Sequence, residues 1–490
     1  MLVDKESMTG PRSKRTKTDR HHTNGVNGIH GITATSTVPS ERLVKALYSE
    51  SVVARVWKVA AKALGTSKPP LLYPEYTGKC GGTYVYRTLD FWTSGFFPGS
   101  MYLLFERLTR YTRTTAHQSS DKQGPLFPHK LLFEHLCRWW TINLHANALK
   151  RDTHDLGFMI APWAMKAWDL LRHAESYNSI IMAAHSLASR FNGTTRCIRS
   201  WDECITNRYS FTDTSTDFLV IIDSMMNLDL LFWAAKETNN RRLYDIAVAH
   251  ARIVRKHHIR DDNSTFHVVN FDAQTAKSKG KFTNQGYSDD SCWARGQSWG
   301  IMGFMQTFGW TGESEFLDTA KALADYFIAN LPADGVPYWD FNAPVTKDIP
   351  RDTSAAMVAA CGMLLLYKAL RNTSEGDYYL NHALKIVDST VTKFLRPPTL
   401  RFRSTSSQSQ CEVYPAGCIK QDASDGFDTL SVVDCAHSEN HDTILDGATI
   451  NNYEFAPRRW ANHGLVYADY YFILFGNMLL EMGLVDAQIH

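Results

Sequence analysis

The alternation of two kinds of helical segment constrains the fold of this chain more than any other feature of its sequence. In the first kind, apolar residues recur every three or four positions and mark one face, as Phe316, Ala320, Leu323, Phe327 and Leu331 do. In the second kind, apolar residues surround the helix, which predicts burial on every side. Segments of the first kind lie at about 42–64, 128–144, 176–191, 242–258, 314–331 and 378–395, and segments of the second at about 92–107, 155–171, 217–236, 292–309, 353–370 and 460–481.

Six repeats of a half-exposed helix and a buried helix predict two concentric rings. The buried segments begin about 60 to 75 residues apart until the last gap, which is longer. We therefore predict an all-α fold, an (α/α)6 barrel in which six helical hairpins form a double ring. The inner helices of such a ring run parallel, so we expect their N-terminal ends to gather at one mouth.

Two stretches fall outside this repeat. Residues 1–38 are rich in Ser, Thr, Gly, His and basic residues, which predicts a disordered N-terminal tail. Residues 39–490 are predicted to form a single domain. A Ser-rich insertion at about 398–455 interrupts its helical pattern, and we expect this insertion to cover the mouth of the ring as loops or to be partly mobile.

The charge balance argues against a nucleic-acid or membrane-surface partner. Lys and Arg number 52 against 50 Asp and Glu, a formal charge of +2. The most apolar segment, near the C-terminus, contains Asp469, Asn477 and Glu481, so it predicts a buried helix and no membrane span. No apolar stretch follows the basic residues at the start of the chain, which predicts a soluble, cytoplasmic protein without a secretory signal.

The cysteine and histidine spacing predicts neither a disulfide framework nor a metal site. Nine Cys in a chain without a visible export signal predict reduced thiols. Two pairs would be close enough in sequence to bond if the protein were exported, namely Cys197 with Cys204 and Cys411 with Cys418. The spacing of Cys435, His437, His441 and Asp442 resembles a metal-ligand set, but no CxxC pair accompanies it.

Asp223 is the first candidate for chemistry. An unbroken apolar run at 218–222 precedes it, and Met225 and Met226 follow. A carboxyl group in such surroundings is difficult to ionise, so its pKa rises, which is what a general acid at neutral pH needs. The structural alternative is a buried Asp that hydrogen-bonds to backbone or to Asn227, and the sequence does not decide between the two.

His154 and Asp155 supply a second acid with a neighbouring imidazole where another buried segment begins. Gly157 would let substrate or backbone approach closely. The alternative is an Asp that caps the helix beside a structural His, and for this motif taken alone the alternative is favoured.

The segment WARGQSWG, 293–300, combines a cation, an amide and two indole rings. Arg295 and Trp299 are four residues apart and share a helix face. The guanidinium offers a forked donor to a carboxylate or sulfate, and the indole offers a flat apolar face to a sugar ring. The alternative is an interior Arg paired with Asp289 or Asp290.

Other enzyme classes lose their main sequence support. The chain has no Walker or GxGxxG phosphate loop, no HExxH and no GxSxG, which argues against a nucleotide enzyme, a zinc protease and a serine hydrolase. Together with the 293–300 segment, Trp92, Trp201, His267 and Gln285 suit a small acidic sugar.

The motifs just described resemble one known family, the unsaturated glucuronyl hydrolases of glycoside hydrolase family 88. The resemblance covers roughly residues 40–485, in order and at plausible spacing. Its motifs are WTSGFFPG (92–99), HDLGF (154–158), IIDSMMN (221–227), WARGQSWG (293–300), DTSAAMVAACG (352–362) and WANHGLVYADYYF (460–472).

The resemblance implies an (α/α)6 barrel and an unusual hydrolysis. The substrate is an oligosaccharide left by a polysaccharide lyase, with a 4,5-unsaturated uronic acid at its non-reducing end. The enzyme hydrates the vinyl ether double bond and does not attack the anomeric carbon, so no metal or organic cofactor is required. On the matching positions Asp223 gives a proton to C4 and helps to activate the water that adds at C5, while Asp155 is the second essential acid.

The resemblance also implies the residues that bind the sugar. His267, Gln285, Arg295 and Trp299 match binding positions, and Trp92 and Trp201 are expected to stack on the sugar ring. The N-terminal tail and the 398–455 insertion depart from the family pattern and leave the outer subsites open.

Three other functions remain possible at this point. An unsaturated rhamnogalacturonyl hydrolase performs the same chemistry on pectin fragments. An ordinary inverting glycosidase or a sugar epimerase can use the same barrel. A non-catalytic sugar-binding barrel is expected to lack one of the acids, whereas Asp155 and Asp223 are both present.

Overall fold

The computed structural model describes residues 38–78, 82–111, 127–405, 429–435 and 441–485. The predicted tail, 1–38, lies outside these ranges except for Val38. Cys411, Cys418 and His437 also lie outside them, so the second possible disulfide and the full metal-ligand spacing are not described.

Thirteen α-helices follow one another in the described ranges. They are α1 (Glu41–Leu47), α2 (Glu50–Ala60), α3 (Phe96–Arg110), α4 (Lys130–Thr141), α5 (Leu156–Leu171), α6 (Ala174–Ala188), α7 (Leu228–Thr238), α8 (Arg241–His258), α9 (Ala294–Thr311), α10 (Ser314–Ala329), α11 (Thr353–Ala369), α12 (Ser374–Phe394) and α13 (Val466–Glu481). Three 3-10 helices occupy Ala61–Gly65, Ile142–Leu149 and Ile222–Asn227.

The six buried segments pack against one another in a cyclic order. Helix α3 contacts α5, α5 contacts α7, α7 contacts α9, α9 contacts α11, α11 contacts α13, and α13 returns to α3. Helix α11 shows why these helices lie inside, because every residue from Thr353 to Leu364 is buried and no face remains for solvent.

The amphipathic helices lie outside this order, each beside the buried helix that it follows or precedes. Helix α6 packs on α5, α8 on α7, α10 on α9 and α12 on α11. In α10 the buried side chains include Phe316, Ala320, Leu323 and Phe327, the face that the sequence pattern marks. The charged residues of these helices face outward, as the paired Arg252 and Glu315 do.

A buried polar network ties the last inner helix to the first. Arg107 of α3 donates to the Asn477 side chain of α13 over 2.5 Å and to the Ile473 carbonyl oxygen over 2.7 Å. Glu106 accepts from Asn477 at 2.8 Å and from Lys166 of α5 at 2.7 Å. Because the Arg107 guanidinium is hydrogen-bonded to neutral acceptors and Glu106 is paired with Lys166, burial of this network is compatible with a stable fold.

The prediction of one buried helix at 217–236 is wrong for the first half of that segment. It begins as strand β7 (Asp217–Ile221), continues as the 3-10 helix Ile222–Asn227 and becomes α-helical only from Leu228. Strand β7 pairs antiparallel with β8 (Val268–Asp272), which pairs with β9 (Ser278–Phe282). An apolar run of five or six residues is compatible with a helix or a buried strand, and the distant partner strand decides.

Shorter strand pairs complete the described fold. They are β1 (Leu72–Thr77) with β2 (Tyr84–Thr88), β3 (Phe191–Asn192) with β4 (Cys197–Ile198), β5 (Cys204–Ile205) with β6 (Ser210–Phe211), and β10 (Leu400–Thr405) with β11 (Thr429–Asp434). Strands β10 and β11 belong to the insertion that the sequence predicts as loops, and this paired part of it packs on α2.

Two predictions about cysteines and the apolar C-terminal helix can be compared with the structure. Cys197 and Cys204 are separate buried thiols, so the possible disulfide between them does not form. Helix α13 is buried, as predicted, and within the described ranges no helix combines the length and apolar character that a membrane crossing requires.

Candidate active site

The residues considered for catalysis and binding lie near the starts of the buried helices. Asp155 occupies the N-cap position of α5, Asp352 caps α11, and Arg295 is the second residue of α9. Asp223 lies in the 3-10 helix that precedes α7. Besides burial, the charges of Arg295 and Asp155 act on the pKa of Asp223, and Arg295 lies 2.6 Å from Asp352, so the four groups lie in one region of the molecule.

Asp223 is a buried carboxyl group without an adequate partner. Its exposed fraction is 8%, and its Oδ1 has no hydrogen-bond partner among the described residues. Burial raises the pKa of Asp223 to about 7; the charge of Asp155 adds to this rise, while His154 and Arg295 oppose it. Asn227 donates to the backbone carbonyl of Asp223 and not to its carboxylate, so the structural alternative does not satisfy this group.

Asp155 has the opposite environment. Although burial acts to raise the pKa of Asp155, the neighbouring His154, the Thr153 hydroxyl and the charge of Arg190 lower it. The Thr153 hydroxyl donates to Asp155 Oδ2 over 2.8 Å, and His154 Nε2 lies 3.2 Å from Oδ1. One carboxyl group is thus protonated near neutral pH while the other is ionised, as acid and base roles require.

Gly157 brings the two acidic segments together. A Cβ atom at Gly157 would lie 2.5 Å from Asn227 Oδ1 and 2.6 Å from the Asn227 Cα. The Phe158 N–H donates to the same Asn227 oxygen over 3.3 Å. The glycine predicted to permit a close approach therefore permits that of Asn227, four residues after Asp223.

His267 presents a ring nitrogen toward this region. Its Nδ1 accepts from the Asn284 N–H over 3.1 Å, and Nε2 is buried with no partner in the part of the chain that the structure describes. Burial, aided by the charge of Arg295, lowers the pKa of His267 to about 3, so the imidazole is neutral. A neutral ring whose Nδ1 accepts carries its proton on Nε2, which makes Nε2–H a donor for a ligand.

Trp92 and Trp201 lie next to the segments that carry Asp155 and Asp223. Trp201 forms β-bridges with Thr153 and Leu219, and its ring meets His267 edge-on at 6.1 Å between ring centres. Trp92 packs against Phe158 at 5.5 Å. Both tryptophans are only partly buried, so each keeps a surface that a sugar could contact.

Arg295 is held by the protein itself. Its Nη1 donates to Asp352 over 2.6 Å and to the Thr449 carbonyl over 2.6 Å, and Nη2 donates to the Ile450 carbonyl over 2.6 Å. The alternative of an interior ion pair is therefore correct, but the partner is Asp352 and not Asp289 or Asp290. This pairing joins α9, α11 and the 441–455 part of the insertion.

Trp299 and Gln285 also occupy supporting positions. The Trp299 ring is fully buried against Phe158 and Tyr471, so no face is left for stacking on a sugar. Gln285 donates to the Ile450 carbonyl over 2.9 Å and anchors the same loop as Arg295.

Tyr467 is a residue that the sequence analysis did not single out. Its hydroxyl is buried and has no hydrogen-bond partner within the described ranges, and the Arg295 guanidinium lies 5.4 Å from its ring centre. One tyrosine among several in an apolar helix gives no sequence signal. The Tyr467 hydroxyl, Asp223 Oδ1 and His267 Nε2 are thus three buried polar atoms without a partner in the described ranges. Such a concentration of unsatisfied polar atoms suits a polar ligand.

The residues here offer acids, donors and aromatic faces. Across the described ranges, no group of three or more His, Cys, Asp or Glu side chains is arranged to hold a metal ion. The arrangement is suited to proton transfer to a bound sugar.

The sequence is similar to those of several known hydrolases. A sequence profile described as Glycosyl Hydrolase Family 88 matches residues 199–404. An unsaturated glucuronyl hydrolase from Formosa agariphila is 35% identical over 301 residues, which cover 61% of this chain and 67% of that protein. An unsaturated chondroitin disaccharide hydrolase from Streptococcus pyogenes serotype M1 is 34% identical over 279 residues, which cover 57% of this chain and 64% of that protein. The chain thus spans about two thirds of the length of these relatives.

Solved structures extend the similarity over most of the chain. The crystal structure of an unsaturated glucuronyl hydrolase specific for heparin superimposes with a TM-score of 0.68 at 26% identity. The superposition covers 91% of this chain and 99% of the other.

Proposed function

Because the chain belongs to glycoside hydrolase family 88, we propose that it removes a 4,5-unsaturated uronic acid from the non-reducing end of oligosaccharides by hydrating the vinyl ether double bond. The protein is a glycoside hydrolase, and the activity named for its relatives is the removal of such a residue. The route by hydration and the role of each residue are our proposals.

The observation that supports the proposal is the contrast between the two acids. Asp223 has a pKa raised to about 7 by burial, and the pKa of the neighbouring Asp155 is lowered. An electron-rich alkene needs a proton donor close to neutral pH, and a carboxyl group kept protonated by burial is such a donor.

The reaction follows from these states. Asp223 gives its proton to C4, and the positive charge that develops at C5 is shared with the ring oxygen. A water molecule then adds at C5 and loses a proton to the Asp223 carboxylate, which restores the acid. The hemiketal opens to a C5 ketone, and the hemiacetal left at C1 releases the aglycone as an alcohol. Asp155 stays ionised, accepts hydrogen bonds from sugar hydroxyls and raises the pKa of Asp223.

The remaining predicted residues divide into two groups. We assign direct contact with the sugar to His267, through its Nε2–H, and to Trp92 and Trp201, through their partly exposed rings. We assign Gln285, Arg295 and Trp299 to shaping the site, because the first two hold the Ile450 carbonyl and Trp299 is fully buried.

We propose that the cyclic order of inner helices is an (α/α)6 barrel that carries this site at its N-terminal mouth. The cyclic contacts and the likeness to unsaturated glucuronyl hydrolase structures support this assignment. A single domain at 39–490, a disordered tail at 1–38 and a cytoplasmic location stay predictions of the sequence.

We further propose oligosaccharides derived from glycosaminoglycans as the substrate class. The names of the chondroitin and heparin enzymes among the similar proteins support this class over pectin fragments.

The test is turnover of an unsaturated uronate disaccharide. Absorbance of the vinyl ether should fall when enzyme is added, faster with glycosaminoglycan-derived than with pectin-derived substrates. Constant absorbance across acidic to neutral pH with both kinds of substrate would contradict the proposed function.

A further inference from the structure

A buried arginine connects the loops that carry the two acids. Arg190 lies in the turn after α6, and its side chain is 5% exposed. Its Nε donates to the Arg199 carbonyl over 2.9 Å, and Nη2 donates to Asp202 Oδ1 over 3.0 Å and to the Ser200 carbonyl over 3.3 Å. Its Nη1 donates to the Arg151 carbonyl and, over 3.4 Å, to Asp202 Oδ2.

These bonds use all five N–H donors of the guanidinium on two separate segments. Arg151 belongs to the loop that leads to Asp155, whereas residues 199–202 belong to the segment that carries Trp201. Arg190 therefore crosslinks the Asp155 loop to the neighbouring segment.

The second segment continues the connection to Asp223. Ser200 N donates to the Leu219 carbonyl over 2.8 Å, and the Ile221 N–H donates to Ser200 Oγ over 3.0 Å. Trp201 bridges to Thr153 on one side and to Leu219 on the other. Three extended segments thus lie side by side, and the outer two end at Asp155 and Asp223.

We propose that Arg190 is a positioning residue that fixes the spacing of Asp155 and Asp223 and supplies positive charge to the Asp155 side of the pair. This inference rests on the proposed function, because spacing matters only if both acids act on one substrate. Arg190 acts through its hydrogen bonds and its charge, and it does not contact the reacting atoms.

The charges around Asp155 define what removal of Arg190 changes. Asp155 faces His154 from its own loop, Asp223 from the 3-10 helix and Arg190 from the turn after α6. Asp202 offsets part of the Arg190 charge, and Arg295 acts on Asp223. Of these groups, Arg190 and His154 lower the pKa of Asp155.

The test compares two variants. Arg190→Met loses both the positive charge and the five N–H donors of the guanidinium, whereas Arg190→Lys keeps the charge. For Arg190→Met we expect kcat to fall roughly tenfold to a hundredfold with a smaller change in KM, since misplaced groups slow chemistry more than binding. The acidic limb of the pH–kcat profile should also move to higher pH, because Asp155 must be ionised and its pKa rises without the nearby cation. For Arg190→Lys we expect lower kcat with the acidic limb close to that of the unchanged protein.

Arg199→Ala is the matched control. Arg199 lies on the same segment, and its guanidinium donates to the Asp217 and Thr214 carbonyls; among the described residues it makes no hydrogen bond to the Asp155 loop. We expect this variant to lose stability without a shift of the acidic limb.

Two results would overturn the inference. One is an Arg190→Met protein that is less stable but keeps the kcat and the acidic limb of the unchanged protein per folded molecule. The other is an equal shift of the limb in Arg199→Ala. Titration of the Asp155 carboxyl carbon by NMR gives a readout without turnover. If the unchanged protein is inactive on every substrate, the proposed function fails, while this titration still decides whether Arg190 sets the charge state of Asp155.

Discussion

Hydrogen bonding separates three aspartates that look alike in the sequence, two of them buried and one, Asp229, partly buried. Burial raises the pKa of both Asp223 and Asp469 to about 7. Asp469, however, accepts from the Ile444 and Leu445 N–H groups and from the Tyr84 hydroxyl, and Asp229 accepts from the Trp310 indole over 2.6 Å. Asp223 alone of the three has a buried carboxylate oxygen without a donor in the described ranges. A raised pKa alone therefore does not mark the acid, whereas a raised pKa with an unused oxygen does.

Replacement of Asp223 tests its role most simply. We expect Asp223→Asn to lower kcat by at least about a hundredfold while the fold is kept, since the amide has the same shape and cannot donate a proton to the alkene. The measurement is the initial rate of absorbance loss with an unsaturated disaccharide, with folding checked by circular dichroism.

Asp229→Asn is the matched control for this change. Asp229 lies six residues further on, is also in buried surroundings and is occupied by the Trp310 indole. The Asp229→Asn variant should retain most of the activity. Substantial turnover by Asp223→Asn would remove Asp223 from its assigned role.

Stability should depend on pH through the same carboxyl group. The pKa of Asp223 is about 7 in the folded protein and about 3.9 in an unfolded chain, so the folded state holds its proton more tightly. Its favourable contribution is complete below about pH 4 and is lost as pH rises through 7. We therefore expect Asp223→Asn to become more stable relative to the unchanged protein between pH 4 and pH 8, measured by denaturant unfolding. A stability difference that is independent of pH would mean that Asp223 is not buried as a neutral acid.

The elements of the fold differ in how far the sequence predicts them. Long helices with a clear period, such as α10 and α12, begin and end within a few residues of the predicted positions. Strand β7 was predicted as helix, because its apolar run suits either structure and its partner β8 lies about 50 residues away. The structural alternative for Arg295 names a partner close in sequence, Asp289 or Asp290, whereas the actual partner, Asp352, is 57 residues further on. Local patterns thus predict local elements, and pairing between distant segments needs the structure.

A methyl group at Gly157 should separate two elements. In Gly157→Ala the new Cβ would clash with Asn227, forcing the start of α5 away from the 3-10 helix that carries Asp223. We expect the free energy of unfolding to fall by roughly 1–3 kcal/mol and kcat to fall as well. Gly309→Ala in α9 is the control, because nothing lies within 4 Å of its Cβ; it should be stabilising by about 0.5–1 kcal/mol. Equal behaviour of the two variants would show that the close approach at Gly157 is unimportant.

The buried pair of Arg295 and Asp352 should be essential to the loop at 441–455. Arg295→Met removes the cation paired with Asp352 and the donor to the Thr449 carbonyl, while the Ile450 carbonyl keeps Gln285 as a donor. We expect a loss of about 3–5 kcal/mol in unfolding free energy, the usual effect of leaving one buried charge unpaired. Denaturant unfolding measures it. The double change with Asp352→Asn should recover part of the loss, and no recovery would indicate that the two charges act independently.

At the scale of the whole molecule, the cyclic packing of the buried helices explains how residues that are distant in the sequence meet. Asp155 and Asp352 lie at the starts of α5 and α11, Arg295 at the start of α9 pairs with Asp352, and the charges of Asp155 and Arg295 both act on Asp223. The repeat of buried and half-exposed segments is enough to predict this gathering from the sequence. It does not predict the contacts of Arg295 and Trp299 within the protein, since Arg295 pairs with Asp352 and the Trp299 ring packs on Phe158.

The central claim is that a buried carboxyl group delivers a proton to an alkene carbon of the substrate. Turnover of an unsaturated disaccharide in deuterium oxide, followed by NMR of the product, tests it most directly. We predict one deuterium on a single face of C4 in the released keto acid. This deuterated product should form at the rate of absorbance loss, and it should not form with the Asp223→Asn variant. Release of a sugar that still contains the C4–C5 double bond, with no deuterium at C4, would contradict the claim.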